Sequence, residues 1–220
     1  VMEMLQHENI IHYLGHEFLE DKQELDILME LFPLSLGQLV EKRRTQNQSF
    51  DPMEIKHLAI EILNGIDYLH SQRILHRDLK PGNILVDMDE DGRINKVKIT
   101  DFGVCKIMSD NNTDHIVGTE LFMAPEVHLN GQYSTKADVW SFGMVLVELI
   151  TLAPPYDGQP REATCANIRA GIPPRFPRPE HPLGQKIVEL IDSCLQLDPE
   201  KRPTAEQLIL GFFRLQCESE

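Results

Sequence analysis

The sequence predicts an α+β fold in which a few short strands come first and several helices follow. Two short apolar runs in the first third, separated by a polar turn at 20–23, are typical of strands. After residue 50 the apolar residues recur at helical spacing, whereas residues 100–135 keep no period and predict a long loop. This order, with strands first and helices afterwards, indicates an α+β domain.

Two strand pairs are expected. The runs Ile10–Leu14 and Leu25–Met29 predict the first pair. The runs Ile84–Val86 and Val97–Ile99 predict a second hairpin, joined by the acidic loop 87–93. Both pairs are short, so they need helices to complete a core.

The clearest helix begins at Asp51. Asp51 is a good N-cap, Pro52 suits the first helical position, and Glu54 closes a capping box. The apolar residues that follow share one helix face: Ile55, Leu58, Ala59, Ile62, Leu63, Ile66 and Leu69.

Three more helices are predicted in the second half. Residues 139–150 are almost wholly apolar, so this helix should be buried at the centre of the domain. Two others lie near Leu183–Leu195 and Thr204–Arg214. The proline-rich stretch Pro173–Pro182 predicts an irregular connection.

Composition excludes several classes of protein. The chain has 220 residues, 21 Lys plus Arg and 35 Asp plus Glu, hence a formal net charge of −14. Such an acidic chain will not bind nucleic acid or anionic lipid through its overall field. No window approaches eighteen uninterrupted apolar residues, so no membrane span is expected. The four cysteines lack C-x-x-C spacing, which favours reduced thiols and a cytoplasmic location.

Three short motifs follow one another along the chain, each beside a predicted element. His-Arg-Asp-Leu-Lys-Pro-Gly-Asn at 76–83 follows the first long helix, Asp-Phe-Gly at 101–103 follows a strand, and Ala-Pro-Glu at 124–126 closes the long loop. Together they resemble the signature set of the eukaryotic protein kinase family, serine/threonine type. Other features are similar to its tyrosine-kinase-like and MAP-kinase-kinase-kinase-like branches, between which the sequence does not decide.

The resemblance implies a protein-kinase-like fold, mainly the α-helical large lobe plus a remnant of the small-lobe β-sheet. Residues 1–32 would be the remnant: the end of the small-lobe helix, two strands and the hinge. Residues 33–220 would be the large catalytic lobe, with the activation segment at 101–126.

The same resemblance implies catalytic roles. Asp78 would be the catalytic base that orients a substrate hydroxyl, and Lys80 would reach the γ-phosphate of ATP. Asn83 and Asp101 would hold Mg²⁺, a hard cation that prefers oxygen ligands. Partners would then be ATP and a protein with a Ser or Thr acceptor.

An adenine site is implied at the end of the second strand. Met29 would be the gatekeeper, although a Met at a strand end is otherwise usually a core residue. The backbone of Glu30 and Phe32 would bond adenine, and Leu85 would pack beneath the ring.

The family pattern also suggests regulation and internal support. Arg77 precedes Asp78, and residues 109–135 contain no Lys or Arg, so we expect an upstream kinase to act on Thr113 or, as second choice, Ser109. The alternative is simply a mobile acidic loop. His76 should be a core histidine against Phe102.

Two buried contacts are implied by the same resemblance. Asp138, at the start of the buried helix, should anchor from below the packed spine to which His76 and Phe102 would belong. Glu126 should pair with Arg202 and link the end of the activation segment to the last helices.

The printed sequence also departs from the family. It contains no G-x-G-x-x-G-x-V, no V-A-I-K lysine and no small-lobe helix Glu. We therefore expect a truncated catalytic portion that binds ATP weakly by itself. The alternative function is a pseudokinase-like interaction module, and a lysine upstream would discriminate between the two.

Overall fold

An antiparallel ribbon of two strands opens the fold, which is described from a computed structural model covering residues 2–19, 23–108, 117–131 and 133–215. Strand β1 (Tyr13–Leu19) pairs with β2 (Glu24–Met29). The prediction of a strand at 10–14 was wrong in position. Ile10 and Ile11 are buried on the core, and Ile11 N–H donates to the Ile99 carbonyl at 2.9 Å. Two consecutive side chains of a strand point to opposite faces, so this buried pair precedes the ribbon.

The ribbon carries apolar side chains on its surface. Within the described residues it forms a sheet of two strands only. Five of its apolar side chains are 46–60% accessible, namely Leu14, Phe18, Leu25, Ile27 and Leu28. Each of the two strands therefore has one edge without a neighbouring strand in the part of the chain described.

A second sheet holds the predicted hairpin. Strands β3 (Leu34–Ser35), β5 (Ile84–Met88) and β6 (Ile94–Ile99) lie in the order β3-β5-β6 and are antiparallel. Strand β4 (Ile74–Leu75) pairs with β7 (Lys106–Ile107). The β5–β6 hairpin brings the residue before β5 and the residues after β6 to the same end, which places the site described below.

Seven α-helices are seen in the described residues, and four of them were predicted. Their bounds are α1 (Leu36–Thr45), α2 (Pro52–Ser71), α3 (Pro125–Asn130), α4 (Thr135–Thr151), α5 (Arg161–Arg169), α6 (Pro182–Cys194) and α7 (Ala205–Arg214). The expected loop at 100–135 contains β7, a 3₁₀ turn at Glu120–Phe122 and α3. No helix of the described chain is long and apolar enough to cross a membrane.

Helix α2 begins as its sequence predicts. The Asp51 carboxylate accepts from the N–H groups of Met53 and Glu54 at 2.7 and 2.9 Å. The Glu54 carboxylate accepts from the Asp51 N–H at 3.0 Å, so the capping box is complete. The buried face of α2 packs against α4, α7 and β6, which makes it a main wall of the core.

Helix α4 lies at the centre, as its apolar sequence predicts. Trp140, Phe142, Met144 and Leu146 are all fully buried. The helix begins before the apolar run because Ser134 caps it, accepting from the Lys136 N–H at 3.2 Å. A helix buried on all sides is a rigid support for whatever its ends contact.

Candidate active site

The Asp78 carboxylate is the meeting point of the site. The Lys80 ammonium lies 2.7 Å from Asp78 Oδ2, and the Asn83 amide donates to the same oxygen at 3.0 Å. The Thr119 hydroxyl donates to Asp78 Oδ1 at 2.7 Å, and Lys80 Nζ lies 2.8 Å from that hydroxyl. Three predicted residues are therefore brought together, with Thr119 added from the end of the long loop.

Asp78 is held in its ionised form. Burial would raise the pKa of this carboxyl, but hydrogen bonds from Lys80 and Thr119 outweigh it and hold the pKa below its usual value. At neutral pH the group is therefore a carboxylate that accepts hydrogen bonds. Its side chain keeps 10% of its surface exposed, so a substrate hydroxyl can reach it.

Asn83 and Asp101 flank the end of the β5–β6 hairpin. The Thr100 N–H donates to the Asn83 carbonyl at 3.0 Å, which fixes the next residue, Asp101, beside Asn83. Both hydrogens of the Asn83 amide are used on Asp78, at its carbonyl (2.9 Å) and carboxylate (3.0 Å). Its amide oxygen is thus not used on Asp78, and with the exposed Asp101 carboxylate it offers the kind of oxygen donors that Mg²⁺ prefers.

His76 is a core residue, as predicted. It is fully buried, and its ring meets Phe102 edge-on with centroids 5.5 Å apart. Burial lowers the pKa of its imidazole, so the ring is neutral. Nε2 lies 3.0 Å from the Thr100 carbonyl and therefore carries the proton, while Nδ1 accepts from the Asp78 N–H at 3.3 Å. His76 positions Asp78 and is no base.

Asp138, in the first turn of α4, holds the start of the catalytic loop, the segment 76–83, through its backbone. Its Oδ2 accepts from the His76 N–H and its Oδ1 from the Arg77 N–H, both at 3.0 Å. His70 Nε2 lies 2.9 Å from Oδ2, a contact that sequence reasoning missed. Burial would raise the pKa of this carboxyl, but the bond from His70 and the backbone donors keep it lowered. Asp138 therefore bonds His76, one member of the packed spine that it was predicted to anchor.

The predicted hinge residues lie at and beyond the end of β2. Met29 is the last residue of β2 and is 41% exposed. The Glu30 carboxylate accepts from Lys98 Nζ and from the His12 N–H, each at 2.7 Å. The Glu30 N–H also donates to the His12 carbonyl at 3.0 Å, so the carbonyl of Glu30 is the group of this residue that a ligand could use. Phe32 lies near Lys98, whose Nζ is 5.9 Å from the ring centroid.

Leu85 lies on the middle strand of the second sheet. It pairs with Ser35 of β3 on one side and with Lys98 of β6 on the other. It is half-buried and packs against the core. Leu85 and Phe32 are therefore both close to Lys98. Leu85, which is predicted to pack beneath the adenine ring, thus lies near the predicted hinge residue Phe32.

The predicted ion pair at the end of the long loop is confirmed. Arg202 is fully buried and bonds both Glu126 oxygens, at 2.6 and 2.8 Å. It also donates to the carbonyls of Gln196 (2.8 Å) and Lys136 (2.9 Å). The pair joins the start of α3 to the start of α4 and the turn before α7.

The two predicted phosphorylation sites, Ser109 and Thr113, lie outside the described residues. Thr119, by contrast, lies against Asp78, a role that the sequence analysis did not assign to it. Its sequence signal is its position seven residues before the Glu of Ala-Pro-Glu.

An ordered loop that gathers an ionised Asp, a Lys and an Asn beside an Asp-Phe-Gly turn is the arrangement of a phosphotransferase of the kinase class. The family model described as "Protein kinase domain" matches residues 1–212. The chain therefore belongs to the protein kinase family, whose members generally use ATP and Mg²⁺.

Several curated proteins are similar over nearly the whole chain. It is 37% identical over 219 residues to "Kinase and exchange factor for Rac B" of Dictyostelium discoideum, covering 95% of this chain and 19% of that protein. It is 32% identical over 225 residues to "Serine/threonine-protein kinase CLA4" of Saccharomyces cerevisiae, covering 99% and 26%. It is 37% identical over 211 residues to "Mitogen-activated protein kinase kinase kinase 1a" of Physcomitrium patens, covering 95% and 26%. The chain thus spans about a fifth to a quarter of the length of these relatives.

Proposed function

We propose that this chain is the greater part of a serine/threonine protein kinase that transfers the γ-phosphate of ATP to a protein hydroxyl. The observation that carries the proposal is the ionised Asp78 carboxylate, fixed between Lys80 and Thr119 and bonded by Asn83. The serine/threonine kinases among the similar proteins support the acceptor class.

The proposed chemistry uses few groups. Asp78 Oδ accepts a hydrogen bond from the substrate hydroxyl, aims its oxygen at the γ-phosphorus and takes its proton as the new O–P bond forms and the bond to ADP breaks. Lys80 is close enough to Asp78 to reach the transferred phosphoryl group and balance its charge. Asn83 and Asp101 would hold Mg²⁺, which neutralises phosphate charge when bound.

The nucleotide would enter beside the hinge. In this proposal Met29 is the gatekeeper, the backbone of Glu30 and Phe32 bonds adenine, and Leu85 lies under the ring. The use of the Glu30 side chain by Lys98 and His12 supports a backbone contact. The proposal divides the chain at 32/33, with the remnant of the small lobe before and the large lobe after.

The test is transfer of radiolabelled γ-phosphate to a generic protein substrate by the complete protein that contains this chain. Stoichiometric label on Ser or Thr of the substrate is expected. The alternative is a pseudokinase-like interaction module, favoured by the lack of a Gly-rich loop and V-A-I-K lysine in the printed sequence. Absence of transfer, together with absence of such a lysine upstream, would support the module and contradict the kinase.

The 220 residues alone are expected to bind ATP weakly and to turn over poorly. The printed sequence offers no Gly-rich loop to cover the phosphates and no second lysine to hold them. Comparing the 220-residue chain with the complete protein, by ATP titration and by transfer rate, measures this. Robust phosphorylation by the isolated chain would contradict the prediction.

Regulation by an upstream kinase is also proposed, with Thr113 as the acceptor and Ser109 as second choice. Two features of the sequence support it: residues 109–135 contain no Lys or Arg, and Arg77 precedes Asp78 as a cation that a phosphate on this segment could pair with. Phosphopeptide mapping of active protein is expected to find one of the two modified. Active protein with both unmodified would contradict it.

A cytoplasmic location stays a prediction from the cysteines.

A further inference from the structure

The Tyr133 side chain joins two stretches of chain that are distant in sequence. Its hydroxyl accepts from the Val117 N–H at 2.9 Å and donates to the Val117 carbonyl oxygen. Its ring lies against the Arg77 guanidinium, whose carbon is 5.2 Å from the ring centroid. One side chain therefore contacts both the end of the long loop and the residue that precedes Asp78.

Arg77 is itself closely fitted to this part of the loop. Its Nε donates to the Val104 carbonyl at 2.5 Å. Its own carbonyl oxygen approaches Gly118 so closely that a Cβ on that residue would overlap it, and Gly118 has φ of +110°, which other residues rarely adopt. Only glycine permits this approach, so the backbone next to Val117 is pressed against the catalytic loop.

Val117 is two residues from Thr119, whose hydroxyl contacts Asp78 and Lys80. Tyr133 is thus connected to the Asp78 carboxylate in three stages. Two hydrogen bonds join Tyr133 to Val117, the backbone runs two residues from Val117 to Thr119, and one hydrogen bond joins Thr119 to Asp78. Tyr133 is also next to Ser134, the cap of α4. The buried helix that supports the catalytic loop through Asp138 therefore fixes Tyr133 as well.

From this geometry we propose that Tyr133 is a positioning residue for phosphate transfer: its hydroxyl fixes the backbone at Val117 and so holds Thr119 against the Asp78 carboxylate. The effect on transfer rests on the proposed function, whereas the positioning of Val117–Thr119 does not. Tyr133 touches neither nucleotide nor acceptor in this proposal, and it acts through Thr119.

The test compares Tyr133→Phe with Tyr156→Phe in the complete protein. Tyr156 is a matched control because its hydroxyl also donates to a backbone carbonyl, that of Ile172 at 2.8 Å, away from Asp78. Tyr133→Phe should speed hydrogen exchange of the amides at 117–119 by at least about tenfold, since Val117 loses its acceptor. Tyr156→Phe should leave those amides unchanged. Unchanged exchange in Tyr133→Phe would overturn the proposal, whether or not the protein transfers phosphate.

Kinetics give the second readout. Tyr133→Phe should lower kcat by about tenfold to a hundredfold with little change in the KM for ATP, because the hinge groups assigned to adenine are untouched. Thr119→Val should lower kcat as well, and the double variant should be no slower than Thr119→Val alone. Independent, multiplying effects of the two substitutions would contradict action through Thr119. A tyrosine with a merely structural role would lower stability as Tyr156→Phe does and leave kcat unchanged.

Discussion

Asp78→Asn in the complete protein is expected to lower phosphate transfer by about a hundredfold to ten-thousandfold, the usual contribution of a general base. Asn keeps the size of the side chain and can still accept from Lys80 or Thr119, but it is neutral and cannot take the proton. The radiolabelled transfer assay measures the effect. The KM for ATP should change little, because Asn can still accept from Lys80 and the hinge groups assigned to adenine are untouched.

The matched control is Asp157→Asn, which removes a carboxylate from an exposed turn outside the site. Its transfer rate should equal that of the unmodified protein. Thermal unfolding of both variants shows whether either has lost its fold. A folded Asp78→Asn variant that retains activity within about tenfold would remove Asp78 from the role of base.

Arg202→Ala is expected to destabilise the chain by about 3–5 kcal/mol, since it leaves a largely buried carboxylate without its partner. The guanidinium is fully buried, and the Glu126 side chain is 15% exposed. The carbonyls of Gln196 and Lys136 would also lose a donor. For a domain of this size the loss corresponds to a fall in Tm of roughly 10 °C, measured by calorimetry or circular dichroism.

Arg178→Ala is the matched control for this prediction. Arg178 also forms a forked pair, with the Asp192 carboxylate at 2.6 and 3.3 Å. Its guanidinium lies over the ring of Phe176, as that of Arg202 lies over the ring of Trp140. Its side chain, however, is 60% exposed, and exposed pairs contribute at most about 1 kcal/mol. Equal Tm shifts for the two variants would show that burial does not set the strength of the Glu126–Arg202 pair.

The elements that could be predicted have a signal that is complete in a few neighbouring residues. Helix α2 has a cap, a proline and a long apolar face, and α4 is apolar throughout. Helix α1 was missed because it buries only Leu36, Leu39 and Val40, although its Ser35-x-x-Gln38 capping box could have revealed it. Helix α5 has no side-chain cap and buries only Thr164 and Ile168, so tertiary contacts decide it.

The residues of the site likewise fall into those with a local sequence signal and those without one. Asp78, Lys80, Asn83 and Asp101 lie within short motifs, so their identity could be predicted from spacing and resemblance. The contacts of Thr119, His70 and Tyr133 join residues that are 16 to 68 positions apart in sequence. No local period encodes such distances; they arise because the long loop packs beside Asp78 and because α2 packs on α4.

Asp138 shows how little freedom a single buried position can leave to mutation. A carboxylate has two equivalent acceptor oxygens, and here one receives the Arg77 N–H while the other receives the His76 N–H and His70. Asn would turn an amide donor toward one of those donors, and Glu would be a methylene too long for the same three partners. In a library of all substitutions, we therefore expect this position to accept aspartate alone.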